Sequence, residues 1–274
     1  MTVPVDRRGG TFIVTKEHRR FMEFANAVRK HRYIGLCFGA AGVGKTLSAR
    51  RCANWHRAET LLLEWGKRKR SDAKIYAALA NSRAVFYTPS IREPIGALRD
   101  HLDQLIGRVD ICIGSHLALK KRQGVAIIED LVELLIVDEA ERLSMAALDY
   151  LRDTFDRSDI GLILIGMPGI EKRMARFPQL YSRVGFAHHY RPLQGNKLSF
   201  VLTRHWRKLG LCLDGADFTD AQAIAAIARI TGGNFRLLHG LFVQIERVLR
   251  INDLTVITDD VVDAARSTLV IGAN

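Results

Sequence analysis

The eight residues Gly39-Ala40-Ala41-Gly42-Val43-Gly44-Lys45-Thr46 constrain this chain more than any other segment. They fit G-x-x-x-x-G-K-[ST], and they stand where that pattern has meaning, after the apolar run Tyr33 to Phe38 and ahead of a helical pattern. Glycines let the backbone curl until successive N–H groups face one chain of phosphates. The start of the following helix adds positive potential at the same point. Lys45 has the charge and reach for β- and γ-phosphates, and Thr46 offers a hydroxyl to Mg²⁺.

Four further apolar runs follow: Ala84 to Thr88, Leu134 to Val137, Gly161 to Gly166 and Gly185 to Tyr190. Between them lie helical spacings such as Leu98, Leu102, Leu105 and Ile106, or Leu143, Ala147, Leu148 and Leu151. Strand–helix alternation of this kind predicts an α/β fold, a parallel sheet covered by helices on both faces. The run Leu134-Leu135-Ile136-Val137 ends in Asp138 and Glu139. By itself that is more often a buried strand ending in solvated acids. Downstream of a phosphate loop, the carboxyl ends of the strands form the ligand edge. Asp138 is then expected to hold Mg²⁺, and Glu139 to orient and polarise an attacking water.

After Arg191-Pro192 only helical patterns remain, over 196–209, 219–231, 234–250 and 258–269. Thr258 or Asp259 suits the cap of the last one. The expected division is a nucleotide-binding α/β domain over 1–190, with an N-terminal extension 1–30, and a helical domain over 191–274.

Charge points to a polyanionic partner. Residues 1–83 hold 18 basic and 6 acidic residues, which equals the whole net charge of +12. Nucleic acid is the commonest partner for such an excess. The densest run is Lys67-Arg68-Lys69-Arg70. The longest uncharged apolar stretch, Ile160 to Ile170, is too short for a bilayer crossing of roughly 20 residues. No apolar run follows the first charges, so neither a signal peptide nor a membrane partner is expected, and a cytoplasmic location is the default expectation. Cys37, Cys52, Cys112 and Cys212 form no C-x-x-C pair and read as small buried hydrophobes. His188 and His189 would point to opposite faces of a strand and would not chelate together.

The chain resembles the AAA+ ATPases, and among them the TnsC, TniB and MuB group of transposition regulators. The residues behind that likeness are Val137-Asp138-Glu139-Ala140-Glu141-Arg142-Leu143, Leu164-Ile165-Gly166-Met167-Pro168-Gly169, Gln179-Leu180-Tyr181-Ser182-Arg183-Val184 and Thr231-Gly232-Gly233-Asn234-Phe235-Arg236. The resemblance implies an AAA+ P-loop NTPase fold: a five-stranded parallel sheet flanked by helices, then a small all-helical lid. It implies ATP and Mg²⁺ as cofactors. It implies that Arg183 is an arginine finger reaching a neighbouring subunit's site, with Arg176 as its rival, and that Arg236 is a second sensor on the lid. The polar first sensor usual after the fourth strand is missing from Gly166-Met167-Pro168. The resemblance further implies oligomers, rings or helical filaments, around duplex DNA. DNA contacts are expected from Arg92, from Ser115 as the cap of a helix leading to Lys120, Lys121 and Arg122, and from Lys67, Arg68, Lys69 and Arg70. A transposase and a target-selection protein are the implied partners, with hydrolysis driving disassembly. Other readings are a helicase loader or replication initiator, an ATPase of secretion or envelope work, and a non-hydrolysing switch, against which Glu139 argues.

Overall fold

A computed structural model describes residues 12–67, 69–121, 130–214 and 216–269. The chain divides into two compact units. One spans Arg20–Arg191. The other joins the helices from Pro192 onward with the chain before Arg20.

The first unit holds α1 (Lys16–His31, whose first turn belongs to the second unit), β1 (Ile34–Phe38), α2 (Lys45–Cys52), α3 (Trp55–Leu63), α4 (Ala73–Ser82), β2 (Ala84–Tyr87) and α5 (Ile95–Lys121). It continues through β3 (Leu134–Val137), α6 (Met145–Arg157), β4 (Gly161–Gly166), α7 (Ile170–Met174), α8 (Pro178–Tyr181) and β5 (Val184–His189). The sheet order is β2-β3-β4-β1-β5 and every pairing is parallel. β2, β3 and β4 are buried along their whole length, as strands covered on both faces must be. β5 is the edge and alternates half-buried with exposed positions, so His188 and His189 do face opposite ways.

Register places the motifs on one sheet edge. Val137 pairs with Leu164, and Leu164 with Leu36, so Asp138 emerges level with Cys37, just before the loop that begins at Gly39. β1 lies between β4 and β5, where the strand order reverses, which is the position at which open α/β sheets leave a crevice for ligands.

α5 corrects one expectation. It runs unbroken for 27 residues, through Gly107 and Gly114, because Leu98, Leu102, Leu105, Val109, Cys112 and Ile113 form one buried stripe. Ser115 is therefore not a helix cap. It is buried inside the helix, and its hydroxyl donates to the Ile111 carbonyl at 2.6 Å. The cysteines are also less uniform than expected: Cys37 and Cys112 are buried, Cys52 is half-buried and Cys212 is exposed.

The second unit contains α9 (Asn196–Lys208), α10 (Phe218–Thr231), α11 (Phe235–Ile251) and α12 (Asp259–Ser267). They pack around Val201, Leu202, Trp206, Ile227, Leu238, Leu241, Ile245 and Val262. Asp217, Asn234 and Thr258 cap α10, α11 and α12 by accepting N–H bonds. Residues 12–19 group with these helices rather than with the sheet, where the sequence reading put them. A cause is visible in Glu17, a carboxylate only 1% exposed that accepts from Lys197 Nζ at 2.6 Å.

Candidate active site

The loop Gly39–Thr46 leaves β1 and enters α2 through backbone that favours glycine. Gly42 and Gly44 have φ of 77° and 109°. Gly39 is held to glycine by crowding, since a Cβ there would lie 2.3 Å from the Tyr190 carbonyl oxygen. Ala40 and Ala41 are exposed on the outside of the curl, and Val43 is buried beneath it. Lys45 opens α2, and its ammonium donates to the carbonyls of Gly39 at 2.5 Å and Ala40 at 2.9 Å. The cation is thus held within the curl that a phosphate chain would enter. Ser48, one turn on, shares a 2.8 Å hydrogen bond with the Tyr190 hydroxyl and ties α2 to the end of β5.

Thr46 and Asp138 meet directly. The Thr46 hydroxyl donates to Asp138 Oδ2 at 2.6 Å, joining segments 92 residues apart. Asp138 Oδ1 accepts the Glu139 N–H at 3.0 Å, and the Asp138 N–H donates to the Tyr87 carbonyl at 2.8 Å. Asp138 is only 3% exposed, and burial pushes its carboxyl above the usual carboxylate range. The Thr46 and Glu139 hydrogen bonds and the charge of Lys45 oppose that rise. A hydroxyl beside a buried carboxylate is a hard-oxygen pair that fits Mg²⁺, which keeps water and phosphate oxygens for its other positions. No cluster of three or more His, Cys, Asp or Glu suited to a metal occurs among the described residues.

Glu139 follows in the left-handed region, φ 50°, and begins the 3-10 turn Ala140–Arg142. Its Oε2 is ion-paired with Arg142 Nη2. Arg142 Nη1 also donates to the Pro89 carbonyl at 3.0 Å. Arg173 of α7 donates to the carbonyls of Glu141 and Leu143. The acidic turn is thereby fastened to the loop after β2 and to the helix after β4. Where Gly166 ends β4, the space a Cβ would take is bordered by Ile170 and by Glu141 Oε2. No side chain from β4 itself enters there.

The two arginines lie on other segments of the chain. Arg183, between α8 and β5, is engaged inside its own chain. Its Nε and Nη2 bind Asp156 Oδ1 and Oδ2 at 2.5 and 2.7 Å, and Nη1 donates to the Gln179 carbonyl. That guanidinium holds the Asp156 carboxyl below the usual range. Arg176 is exposed and makes no side-chain hydrogen bond or ion pair among the described residues. Arg236 belongs to the second unit, exposed in the first turn of α11 behind its cap Asn234. Gly233 before it admits no side chain, because a Cβ would lie 1.8 Å from the Leu193 carbonyl oxygen.

The residues expected to touch DNA are scattered. Lys67, Lys69 and Arg70 are exposed between α3 and α4, and Arg68 lies outside the described residues. Arg92 is exposed at φ 56° in the turn between β2 and α5. Glu93 pins that turn, accepting from the Tyr87 hydroxyl at 2.6 Å. Lys120 and Lys121 end α5, and Arg122 lies outside the described residues. At 1.5 Å per residue, α5 is about 40 Å long. Arg92, just before it, and Lys120 and Lys121 at its end therefore stand at opposite ends of α5.

Sequence reasoning missed Ser48, Tyr190, Asp156, Arg142 and Arg173. Arg142 was legible in principle, three residues beyond Glu139 on a turn. Asp156 was not, because nothing local to residues 156 or 183 marks their pairing.

The family described as an AAA domain matches residues 28–174. A "Potential ATP-binding protein" of Staphylococcus aureus is 40% identical over 267 residues, covering 95% of this chain and 97% of that one. Among solved structures, the Thermotoga maritima RuvB Holliday junction branch migration motor aligns with TM-score 0.57 at 16% identity, over 94% of this chain and 70% of its own. Aeropyrum pernix ORC2, with TM-score 0.53 and 16% identity, covers 96% and 72%. Aeropyrum pernix ORC1 in complex with DNA, with TM-score 0.52 and 17% identity, covers 96% and 68%. The structural likenesses concern the fold, a five-stranded parallel P-loop sheet with helices following.

Proposed function

This chain belongs to the AAA-domain family, and from that premise we propose that it binds and hydrolyses ATP with Mg²⁺, assembles on duplex DNA, and regulates transposition. The 2.6 Å bond between Thr46 and Asp138 carries the ATP reading, because it brings a phosphate loop and an acidic strand end into one site. The 40% identical Staphylococcus aureus protein, described as potentially ATP-binding, supports it. The DNA reading is supported by the basic first third and by the nature of two fold relatives, a Holliday junction motor and an ORC1 solved with DNA. Transposition rests on the motif resemblance to TnsC, TniB and MuB alone. A transposase and a target-selection protein are the corresponding partners.

The division of labour follows from position. The N–H groups of residues 39–46 cradle the phosphates, with Lys45 at the β- and γ-groups. Thr46 and Asp138 would hold Mg²⁺, which neutralises charge developing on the phosphate oxygens. Glu139 takes a proton from the attacking water while Arg142 orients its carboxylate. Arg183 of one protomer reaches the γ-phosphate of the next, leaving Asp156 to do so. Arg176 is the second candidate, favoured by its unengaged guanidinium. A cation in the first turn of α11 opposes the helix dipole and so does not serve helix stability, which supports the second-sensor role for Arg236.

Calorimetry of Mg-ATP binding tests the first claim. Electron microscopy with duplex DNA and a non-hydrolysable ATP analogue tests the second, with filaments or rings expected. No heat of binding removes the site; nucleotide binding without assembly on duplex removes the regulator. A helicase loader or initiator, the reading nearer to ORC, would instead favour single strands or a helicase.

A further inference from the structure

From Lys172 to Leu213 the chain carries nine Lys and Arg and no acidic residue. Four of the nine, Lys197, Arg204, Arg207 and Lys208, fall in α9. Lys197 is engaged by Glu17. The other three point outward. α9 buries Leu198, Val201, Leu202 and Trp206, and leaves Phe200, Arg204, Arg207 and Lys208 exposed on the opposite face. Arg204 lies over the Phe200 ring at 5.0 Å. None of the three cations enters a hydrogen bond or ion pair among the described residues.

The bland explanation is that basic residues in a last turn complement the helix dipole. It accounts for Arg207 and Lys208. It does not account for Arg204, a turn earlier, nor for a segment without a single counter-charge. Besides Glu17, the acids of this unit's described helical part lie off α9: Asp214, Asp217 and Asp220 before and in the first turn of α10, Glu246 on α11, Asp253 after it, and Asp259, Asp260 and Asp263 on α12. From Pro192 onward the sequence holds 9 basic and 8 acidic residues, yet α9 carries four of the basic ones and none of the acidic ones. The interior feels the same field: burial first, then the charges of His239 and Lys208, push His205 down to about 4.

We propose that the outward face of α9 is a further contact for the phosphodiester backbone of duplex nucleic acid. This rests on the duplex partner proposed above and adds a surface carried by the helical unit. Three unpaired cations within about one helical turn suit phosphates, which position a protein without reading sequence. A membrane surface fits less well, because the one large apolar side chain on this face, Phe200, is covered by Arg204 and brings no apolar neighbours to insert.

The test is Arg204→Ala/Arg207→Ala/Lys208→Ala in the full chain, titrated against a fluorescent duplex with a non-hydrolysable ATP analogue at several salt concentrations. The expected result is an affinity lower by on the order of 100-fold at 0.15 M salt. The log–log salt slope should be shallower by about 2.7, roughly 0.9 for each lost contact. Mg-ATP calorimetry should be unchanged, and the Arg204→Lys/Arg207→Lys variant, which keeps Lys208, should retain most of the affinity and slope. Wild-type duplex binding with an unaltered slope in the triple Ala variant overturns this surface and leaves the DNA reading intact. No duplex binding by the wild type overturns both. Binding to phosphatidylserine vesicles that the triple Ala variant loses, while duplex binding is unaltered, assigns the face to a membrane instead.

Discussion

The phosphate loop and the Arg183 corner are built on opposite principles. Around the phosphate loop, Lys45 and Asp138 are buried, and their charged groups and the Thr46 hydroxyl bond to neighbours in the same unit: loop carbonyls for the ammonium, a carboxylate for the hydroxyl, an N–H for the carboxylate. Arg183 is half-exposed, and its partner Asp156 is a surface residue with a second cation, Arg152, beside it. Surface ion pairs are worth about 0–1 kcal/mol, and two-pronged ones stand at the upper end. The loop site is built within one unit, whereas on the proposed reading the arginine exchanges its carboxylate partner for a phosphate.

The sharpest way to break that comparison is Arg183→Ala. If the arginine completes a neighbour's site, hydrolysis falls by on the order of 10³-fold or more, the range for an arginine finger. Mg-ATP binding by dilute protein stays nearly unchanged, and ATP-dependent assembly is lost. Unchanged turnover moves the role to Arg176, tested by Arg176→Ala in the same assay. Lys45→Ala attacks the inward side. Removing one partner from a desolvated charge contact costs about 2–5 kcal/mol. Calorimetry should therefore show ATP affinity reduced by on the order of 10²-fold or more, without any change in the second unit's helices by circular dichroism.

How much of this was legible depends on whether the signal is local. Leu134–Val137 and Gly161–Gly166 are strands over the very residues that their apolar runs marked, because a strand covered on both faces needs an unbroken apolar segment. The phosphate loop was legible because its function is performed by consecutive backbone groups. α5 was not read as one helix, since Ser115 after Gly114 suggests a new helix start, while the buried stripe from Leu98 to Ile113 carries the helix through. The Asp156–Arg183 pair was invisible for another reason: it joins α6 to the approach of β5, and only the sheet order brings those elements together.

Arg142 lies between the two principles, joining the half-exposed Glu139 to the turn that carries Arg92. Arg142→Ala frees both the carboxylate and the Pro89 carbonyl. Turnover should fall about tenfold, the smaller end of what a supporting partner contributes, with Mg-ATP affinity unaltered. Arg142→Lys keeps the charge but not the two-pronged bridge, and should recover only part of the rate. A loss of nucleotide affinity equal to the loss of rate would make the residue structural.

The smallest effect is on stability, and it comes from the inward site's own cost. Burial raises the pKa of Asp138 in the folded chain, so the folded state keeps a proton that the unfolded chain has released. Stability from this group is therefore present at acid pH and is lost as pH rises through the raised value. Asp138→Asn removes the titration and keeps the bonding, since Oδ1 still accepts from the Glu139 N–H and the amide can donate to Thr46 Oγ1. Without nucleotide, the variant's thermal midpoint minus that of the wild type should grow with pH from the ordinary carboxylate range upward, then level off. A few degrees is the scale that about 1 kcal/mol produces in a unit of this size. With Mg-ATP the order should reverse, because only the carboxylate gains an ion to offset its burial. A midpoint difference that is flat with pH and blind to Mg-ATP would mean that Asp138 is an ordinary surface-like acid, and that the inward site is not poised for a cation.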